Sequence, residues 1–367
     1  MKFAFYLLPF AFLHAACSRS PAPEIALPPE ADLPALPAVA SVEQPPQAAP
    51  KPSTLLVVRS PTGQPVLDGS VTTNVFMHTG TGRPESGMYG DIRTGSDGRA
   101  RYHGGIDIAP LKYGRGGVAL DTVHAIADGR VAYVNRSPGS SNYGNYVVLL
   151  HNDPSFGDMF SLYAHLASVA PGLAAGQEVS IGHNLGVVGN TGAEIPRARA
   201  HLHLETGLVL STRYADFASA KKLTNPHGNW NGRTLQGFNP CDLYARLDSQ
   251  GRFDLSAHMQ SLPTAFRAAV RVTKPVGYFT RYPALWQGAP LATANLPEWV
   301  VMDFSAEGLP VFARVAAASE RPAANANQVL FVDEKVLGRN GRRLVVRGKN
   351  GWTLSQAGTD LITLLLL

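Results

Sequence analysis

Four residues carry chemistry in their types and spacing: His103 and Asp107 in RYHGGIDIAP, and His201 and His203 in AHLHLE. His-x-x-x-Asp followed much later by His-x-His is a metal-ligand pattern. Imidazole nitrogen and carboxylate oxygen are the ligands zinc takes in open catalytic sites, where three protein groups leave a fourth position for water. His165, in YAHL between the two pairs, adds a further imidazole of the kind acid–base chemistry uses. His-x-His alone arises by chance, and His78, His151, His183, His227 and His258 read as ordinary surface or satisfied core residues. The combination, not any single histidine, points to a metal centre.

The elements that must position these residues follow from local pattern. His201 and His203 begin the alternating run HLHLETGLVL, which reads as a β-strand. Residues i and i+2 of a strand share a face, so both imidazoles project to one side and Leu202 and Leu204 to the other. His103 and Asp107 have helical spacing, but Gly104 and Gly105 between them weaken a helix, which places the pair on a strand end and loop. One strand and one loop can then converge on one ion. Glu205 shares the strand face of His203; it reads equally as a carboxylate that orients a ligand imidazole or as a solvated strand residue.

The order of these stretches resembles a known family. GMYGDIRTG, HGGIDIA, VHAIADGRVAYV, YGNYVVLLH, LYAHL, GLAAGQEVSIGHNLGVVGNTG and HLHLE resemble the lysostaphin/LytM-type zinc metallopeptidases that cut peptidoglycan cross-links. The resemblance runs from about Gly87 to Leu243 and implies Zn²⁺ held by His103, Asp107 and His203, with His165 and His201 as catalytic imidazoles. Two departures stand where a substrate groove would have its walls. Arg199 and Ala200 replace the family's Gly-Pro before His-x-His, and the loop after IDIAP carries the basic KYGRGGVA, with Lys112 and Arg115. No HExxH helix offers a glutamate base, so an imidazole, His165 or His201, must be the base.

The N-terminus, MKFAFYLLPFAFLHAAC, has a Lys, an apolar stretch too short to span a bilayer, and Ala15-Ala16-Cys17. This is a secretory signal over 1–16. The Cys after the small pair resembles a bacterial lipobox, with His14 where Leu is usual, and implies lipidation of Cys17. Ser18 resembles the signal that sends lipoproteins to the outer membrane. The expected location is therefore the periplasm, with the protein lipid-anchored to the outer membrane. Residues 17–53 hold the lipidated Cys and a Pro/Ala-rich linker, biased to extended polyproline II and able to reach on the order of 100 Å. The only other cysteine is Cys241, so the exported core must hold without disulfide staples.

The expected fold is mainly β: an antiparallel-sheet metallopeptidase domain with few short helices, plus a smaller C-terminal β-rich domain. Residues 54–100 read as a β-rich lead-in, 101–248 as the zinc metallopeptidase domain, and 249–367 as the C-terminal domain. ADFASAKKL and CDLYARL read as short helices, and a third is expected near SLPTAFRAA. In the C-terminal part, strands flank Asn340-Gly341 and Asn350-Gly351, which read as hairpin turns. The final LITLLLL reads as a buried terminal strand, and the small domain as barrel-like.

The 367-residue chain is 45% hydrophobic and 16% charged, which fits folded domains after the linker. A formal charge of +5 suits association with an anionic wall. No concentrated basic stripe or recognised module accompanies it, so nucleic acid is excluded as a partner. The expected function is zinc-dependent endopeptidase action on peptidoglycan cross-links, D-Ala–diamino acid bonds, in wall remodelling. The expected partners are peptidoglycan, the membrane through the lipid anchor, and a protein regulator. The alternative is a non-hydrolytic wall-binding regulator that activates an amidase.

Overall fold

The computed structural model describes residues 55–367 apart from 79–81, 95–97, 99 and 193–194. The signal, Cys17 and the whole linker to residue 53 lie outside the described residues. The fold is mainly β, with antiparallel sheets and few helices, matching the sequence expectation.

Seven strands form the sheet that carries the histidines: β1 (Ile106–Ile108), β2 (Gly129–Asn135), β3 (Asn145–His151), β4 (Met159–Leu166), β5 (Glu178–Val179), β6 (Leu202–Val209) and β7 (Leu235–Phe238). Their spatial order is β5-β2-β3-β4-β6-β7, all antiparallel, and β1 pairs with the first half of β6. β3, β4 and β6 are Val/Leu/Tyr-rich and buried nearly throughout, as strands covered on both faces are. One face holds Val147, Leu149, Tyr163, Leu202 and Leu204 in the main core; the other holds Tyr146, Val148, Phe160 and Leu162 in a second cluster.

The sheet register brings distant residues together. His203 sits directly opposite Asp107 on β1 and opposite Ala164 on β4. Between β3 and β4 the register slips near Asn145/Val147, a β-bulge that leaves His165 in the left-handed region at φ 62°. A non-glycine residue there is strained by roughly 1–2 kcal/mol. The strain is held by the His165 N–H donating to Tyr143 O (2.9 Å). Bulges re-aim side chains, and this one turns His165 toward His201.

The C-terminal region builds a five-stranded sheet from β8 (Phe266–Arg271), β9 (Trp286–Gln287), β10 (Trp299–Phe304), β11 (Pro310–Val315) and β12 (Gln328–Val332). Its order is β9-β11-β10-β8-β12, with β9–β11 the one parallel pair. Among the described residues the two ends do not pair, so it is an open sheet, not a barrel. It packs firmly on the first sheet. Arg281 Nη2 donates to the carbonyls of Val209 and Leu210 (both 3.0 Å), and the Tyr282 hydroxyl bridges Val209 N (3.0 Å) and Asp158 O (2.9 Å) at the end of β6.

Several local expectations change. The terminal LITLLLL is helical, part of Gln356–Leu366. Leu favours helix over strand because it is not β-branched, Ser355 caps the helix through Gly358 N, and Leu361, Ile362, Leu364 and Leu365 form its buried stripe. Asn340-Gly341 is a loop between the helix Glu334–Leu337 and β13 (Val345–Gly348), not a hairpin. The second turn is displaced by one residue. Gly348 pairs with Gly351 across Lys349-Asn350, and Gly351 opens β14 (Gly351–Leu354) at φ 104°. The helix expected near SLPTAFRAA lies earlier, at Leu255–Ser261, capped by Asp254; Phe266 onward is β8, where two flanking strands override local preference. The stretch before residue 101 is sparser in strand than expected. Leu56–Val57 pairs with Arg252–Phe253, away from the histidine sheet, and Ile92–Thr94 pairs with Ala100–Tyr102.

Candidate metal centre

Three buried side chains meet: His103, Asp107 and His203. His103 follows the strand Ala100–Tyr102, Asp107 is the middle residue of β1, and His203 enters from β6. His103 Nε2 is 3.0 Å from Asp107 Oδ1 and 3.1 Å from His203 Nδ1, and His203 Nδ1 is 2.8 Å from Asp107 Oδ1. Gly105 permits this approach: a Cβ there would stand 2.9 Å from His203 Cε1.

The donor set fits a metal ion. His103 Nδ1 lies 2.7 Å from Met88 O, so it carries the proton and donates. His203 Nε2 lies 2.9 Å from Glu205 Oε1 and does the same. That leaves His103 Nε2 and, once a second proton on the His203 ring is displaced, His203 Nδ1 as lone-pair nitrogens that a metal cation can take. Ligands around a tetrahedral zinc with bonds of ~2.0–2.1 Å stand ~3.3 Å apart, close to these separations. Tyr143 donates to the same Glu205 oxygen (2.8 Å), so the orienting carboxylate is itself held.

Arg93 is a participant that sequence reasoning passed over, although it lies within GMYGDIRTG. Its Nη2 donates to Asp107 Oδ2 (2.7 Å), leaving Oδ1 for the ion. The same nitrogen lies 2.9 Å from His103 Nδ1. Both atoms are donors when Met88 O accepts from the ring, so this is a contact and not a bond. Ser86 O accepts from Arg93 Nε (2.9 Å) and fixes the guanidinium.

His165 and His201 stand beside the triad with ring centroids 4.9 Å apart. His165 Nδ1 contacts Thr191 O (2.8 Å) and His201 Nδ1 contacts Arg199 O (2.7 Å). Each therefore donates from Nδ1, and His201 Nε2 faces Asp107 Oδ1 at 3.4 Å. Arg199, where the resemblance implied glycine, thus orients His201 by its carbonyl, while its Nε bonds His78 O (3.1 Å).

Burial and charge oppose one another here. Burial works to raise the Asp107 pKa, but the charges and hydrogen bonds of His103 and His201 hold it well below the carboxylate range. Burial lowers His103, partly offset by Asp107. Burial, then the neighbouring His201 and His203, pushes His165 well below the usual imidazole value. For His203 burial lowers the pKa, yet hydrogen bonds to Asp107 and Glu205 outweigh it and raise it to about 9.

The remaining histidines lie elsewhere. His151 is buried between Asp128 O and Ser161 Oγ, His227 sits between the Tyr133 hydroxyl and Ser140 O, and His258 packs on Phe238. Cys241 is a buried free thiol whose pKa burial pushes up to about 12. Lys112 and Arg115 lie on the exposed loop after β1.

Residues 101–212 match the family model described as Peptidase family M23. Among solved structures, the chain is similar to a zinc-containing peptidase from Vibrio cholerae at 27% identity, covering 36% of each chain, with a TM-score of 0.26. It is similar to Csd3 of Helicobacter pylori at 22% identity, covering 41% of this chain and 32% of that one, with a TM-score of 0.26. For the catalytic domain of the antimicrobial peptidase lysostaphin from Staphylococcus simulans the identity is 26%, the coverage 33% and 76%, and the TM-score 0.24. The chain thus covers about a third of the length of the first two. No curated protein matches it. Over residues 101–212 the chain is thus similar to peptidase family M23.

Proposed function

We propose that this chain is a zinc-dependent endopeptidase that hydrolyses the peptide cross-links of peptidoglycan, at D-Ala–diamino acid bonds, in wall remodelling. The observation that supports hydrolysis over mere wall binding is the pair His165 and His201. Neither is needed to complete the three-donor set, yet both are tied at Nδ1 beside it, with His201 Nε2 turned to Asp107 Oδ1 at 3.4 Å. One of them, His165, adopts a strained backbone to be there.

In this reading His103, Asp107 and His203 hold the ion, and Glu205, Met88 O and Arg93 fix their orientation. Zinc, when bound, supplies Lewis acidity to the scissile carbonyl and lowers the pKa of a water. His165 rests neutral, the state a general base needs, and its Nε2 takes the proton of the attacking water. The proton that His165 takes then passes to the leaving amine, and His201, when it carries a proton on Nε2 as well as Nδ1, would stabilise the developing oxyanion. No paired-carboxylate signature for glycosidic bonds appears in the sequence, and an amide carbonyl is what this chemistry attacks.

The test is digestion of purified sacculi with and without chelator, read by mass spectrometry. Cross-linked muropeptide dimers should convert to monomers with new free amines, and chelator should stop this. Release of anhydro sugars, or of whole stems cut at the lactyl amide, overturns the reading; wall binding without cleavage leaves the regulator alternative. We also propose that Cys17 is lipidated and anchors the protein at the periplasmic face of the outer membrane. Cys17→Ser should then move it from membrane to soluble fractions, and a wild-type protein already soluble after export ends that proposal.

A further inference from the structure

Beside the metal centre, on the far side of His203, lies a cavity of about 250 Å³ lined by Tyr89, Tyr102, Tyr143, Glu205, Gly237 and Arg342, among others. Five of these six belong to the histidine sheet and its approaches. Arg342 comes from the C-terminal region, more than a hundred residues on, and outside the M23 match. Its loop is tightly set. A Cβ on Gly341 would stand 2.9 Å from Tyr102 Cδ2, Asn340 Nδ2 donates to Val345 O (2.8 Å), and Arg339 pairs with Asp91 (3.4 Å). Asn340 (φ 47°) and Arg343 (φ 50°) bracket it in the left-handed region. Strained non-glycine backbone on both sides of one arginine is the kind of cost that functional placement carries.

The hydrogen-bond inventory of this cavity is rich in donors. Among the described residues, Arg342 makes one hydrogen bond, from Nη1 to Gln236 Oε1 (2.8 Å), and no ion pair within 4 Å. A guanidinium offers five N–H groups. The Tyr102 hydroxyl is buried with no hydrogen-bond partner, and the Arg342 guanidinium sits over the same ring at 6.0 Å. Two of the acceptors nearby are already engaged. Glu205 Oε1 receives both His203 and Tyr143, and Gly237 O receives the Tyr89 hydroxyl (2.8 Å). Glu307, the other carboxyl facing Arg342, has its pKa raised by burial, toward its neutral form. Glu205 is paired with His203, so the free donors and fixed positive charge of Arg342 favour an anion there. The volume is below that of pockets that enclose whole small ligands, so it suits one group of a larger ligand.

We propose that Arg342 and Tyr102 form a carboxylate-binding subsite beside the metal centre, and that it takes a free carboxylate of a peptidoglycan stem peptide. This deepens the wall-hydrolase reading and rests on it for the identity of the ligand. The C-terminal region then contributes directly to substrate recognition. Arg342 holds one end of the stem while the amide to be cut lies over His165 and His201.

The probe is a monomeric disaccharide–peptide with free stem carboxylates, and the same compound with those carboxylates converted to amides. Neither contains a cross-bridge, so the full-length, metal-loaded protein binds without turnover, and calorimetry reads affinity alone. Wild type should prefer the acid by about 10-fold to 100-fold, the usual worth of hydrogen bonds to a charged group. Arg342→Ala should lose that preference by weakening binding of the acid and leaving the amide unchanged. Arg342→Lys, which keeps the charge without the fork, should fall between. Equal binding of the two forms by wild type overturns the subsite without any variant. So does an unchanged preference in Arg342→Ala. Tighter binding by Arg342→Ala also overturns it, since the loop would then be a plug in the cavity. Failure of sacculus digestion alone refutes hydrolysis and leaves the acid preference standing, so the two readings fail separately.

Discussion

His258 makes the protein sensitive to acid, by an amount that can be worked out. Its ring is buried on the helix Leu255–Ser261 against Phe238 (4.5 Å) and Phe253 (5.3 Å), and neither ring nitrogen has a hydrogen-bond partner. Burial pushes its pKa down to about 4, against about 6.5 in an unfolded chain. The folded state therefore keeps His258 neutral while the unfolded state takes up a proton. Stability is fully present above pH 6.5 and is lost as pH falls to about 4, where the folded ring also protonates. The full loss is 2.5 units at about 1.4 kcal/mol each, or ~3 kcal/mol; about 2 kcal/mol of it has gone by pH 5. His151, also held near 4 by burial, adds a similar amount, and the pair is a large share of a typical 5–15 kcal/mol stability. His258→Phe fills the same apolar slot without a titrating group. Urea unfolding at pH 7.5 and pH 5.0 should show the variant losing about 2 kcal/mol less than wild type between the two conditions. Equal losses in the two proteins, or an NMR titration of His258 near pH 6.5, would refute the argument.

Other perturbations address the site itself. His203→Ala or Asp107→Ala should lose bound zinc together with activity, because three ligands are the minimum for tight binding in such an open centre; metal analysis of the purified variants decides, and one tightly held zinc per chain would remove that residue from the ligand set. His165→Ala and His201→Ala should each keep zinc yet lose turnover by ~10²-fold or more, with undiminished turnover excluding the residue from the reaction. Glu205→Ala frees His203 Nε2 from its acceptor and should weaken zinc by about 10-fold to 100-fold in a chelator competition; wild-type affinity would show that Tyr143 and Glu205 merely fill space.

Much of the candidate site was legible in residue types and short spacings. His201 and His203 share a strand face because the strand period is two, and the alternation of HLHLETGLVL announces that strand without any partner. The mainly β, antiparallel character followed from the same alternation repeated along the chain with glycine-rich turns between. What composition and period could not contain was register. His203 stands opposite Asp107 and Ala164 only because β6 pairs with β1 and β4 in one alignment, and His165 points inward only because a bulge displaces it. Arg93 and Arg342 carry no local signal at all. One reaches Asp107 from a two-stranded hairpin, and the other comes from a loop beyond the matched domain. The terminal LITLLLL shows the converse limit. An apolar run without polar alternation has no period to separate strand from helix; the Ser355 cap and the packing of Leu361 and Leu365 into the core belong to the helix and are seen only in the fold. Local pattern specifies which face a side chain leaves its own element; the meeting of faces from distant elements is set by hydrogen-bond register and packing, which exist only in the folded chain.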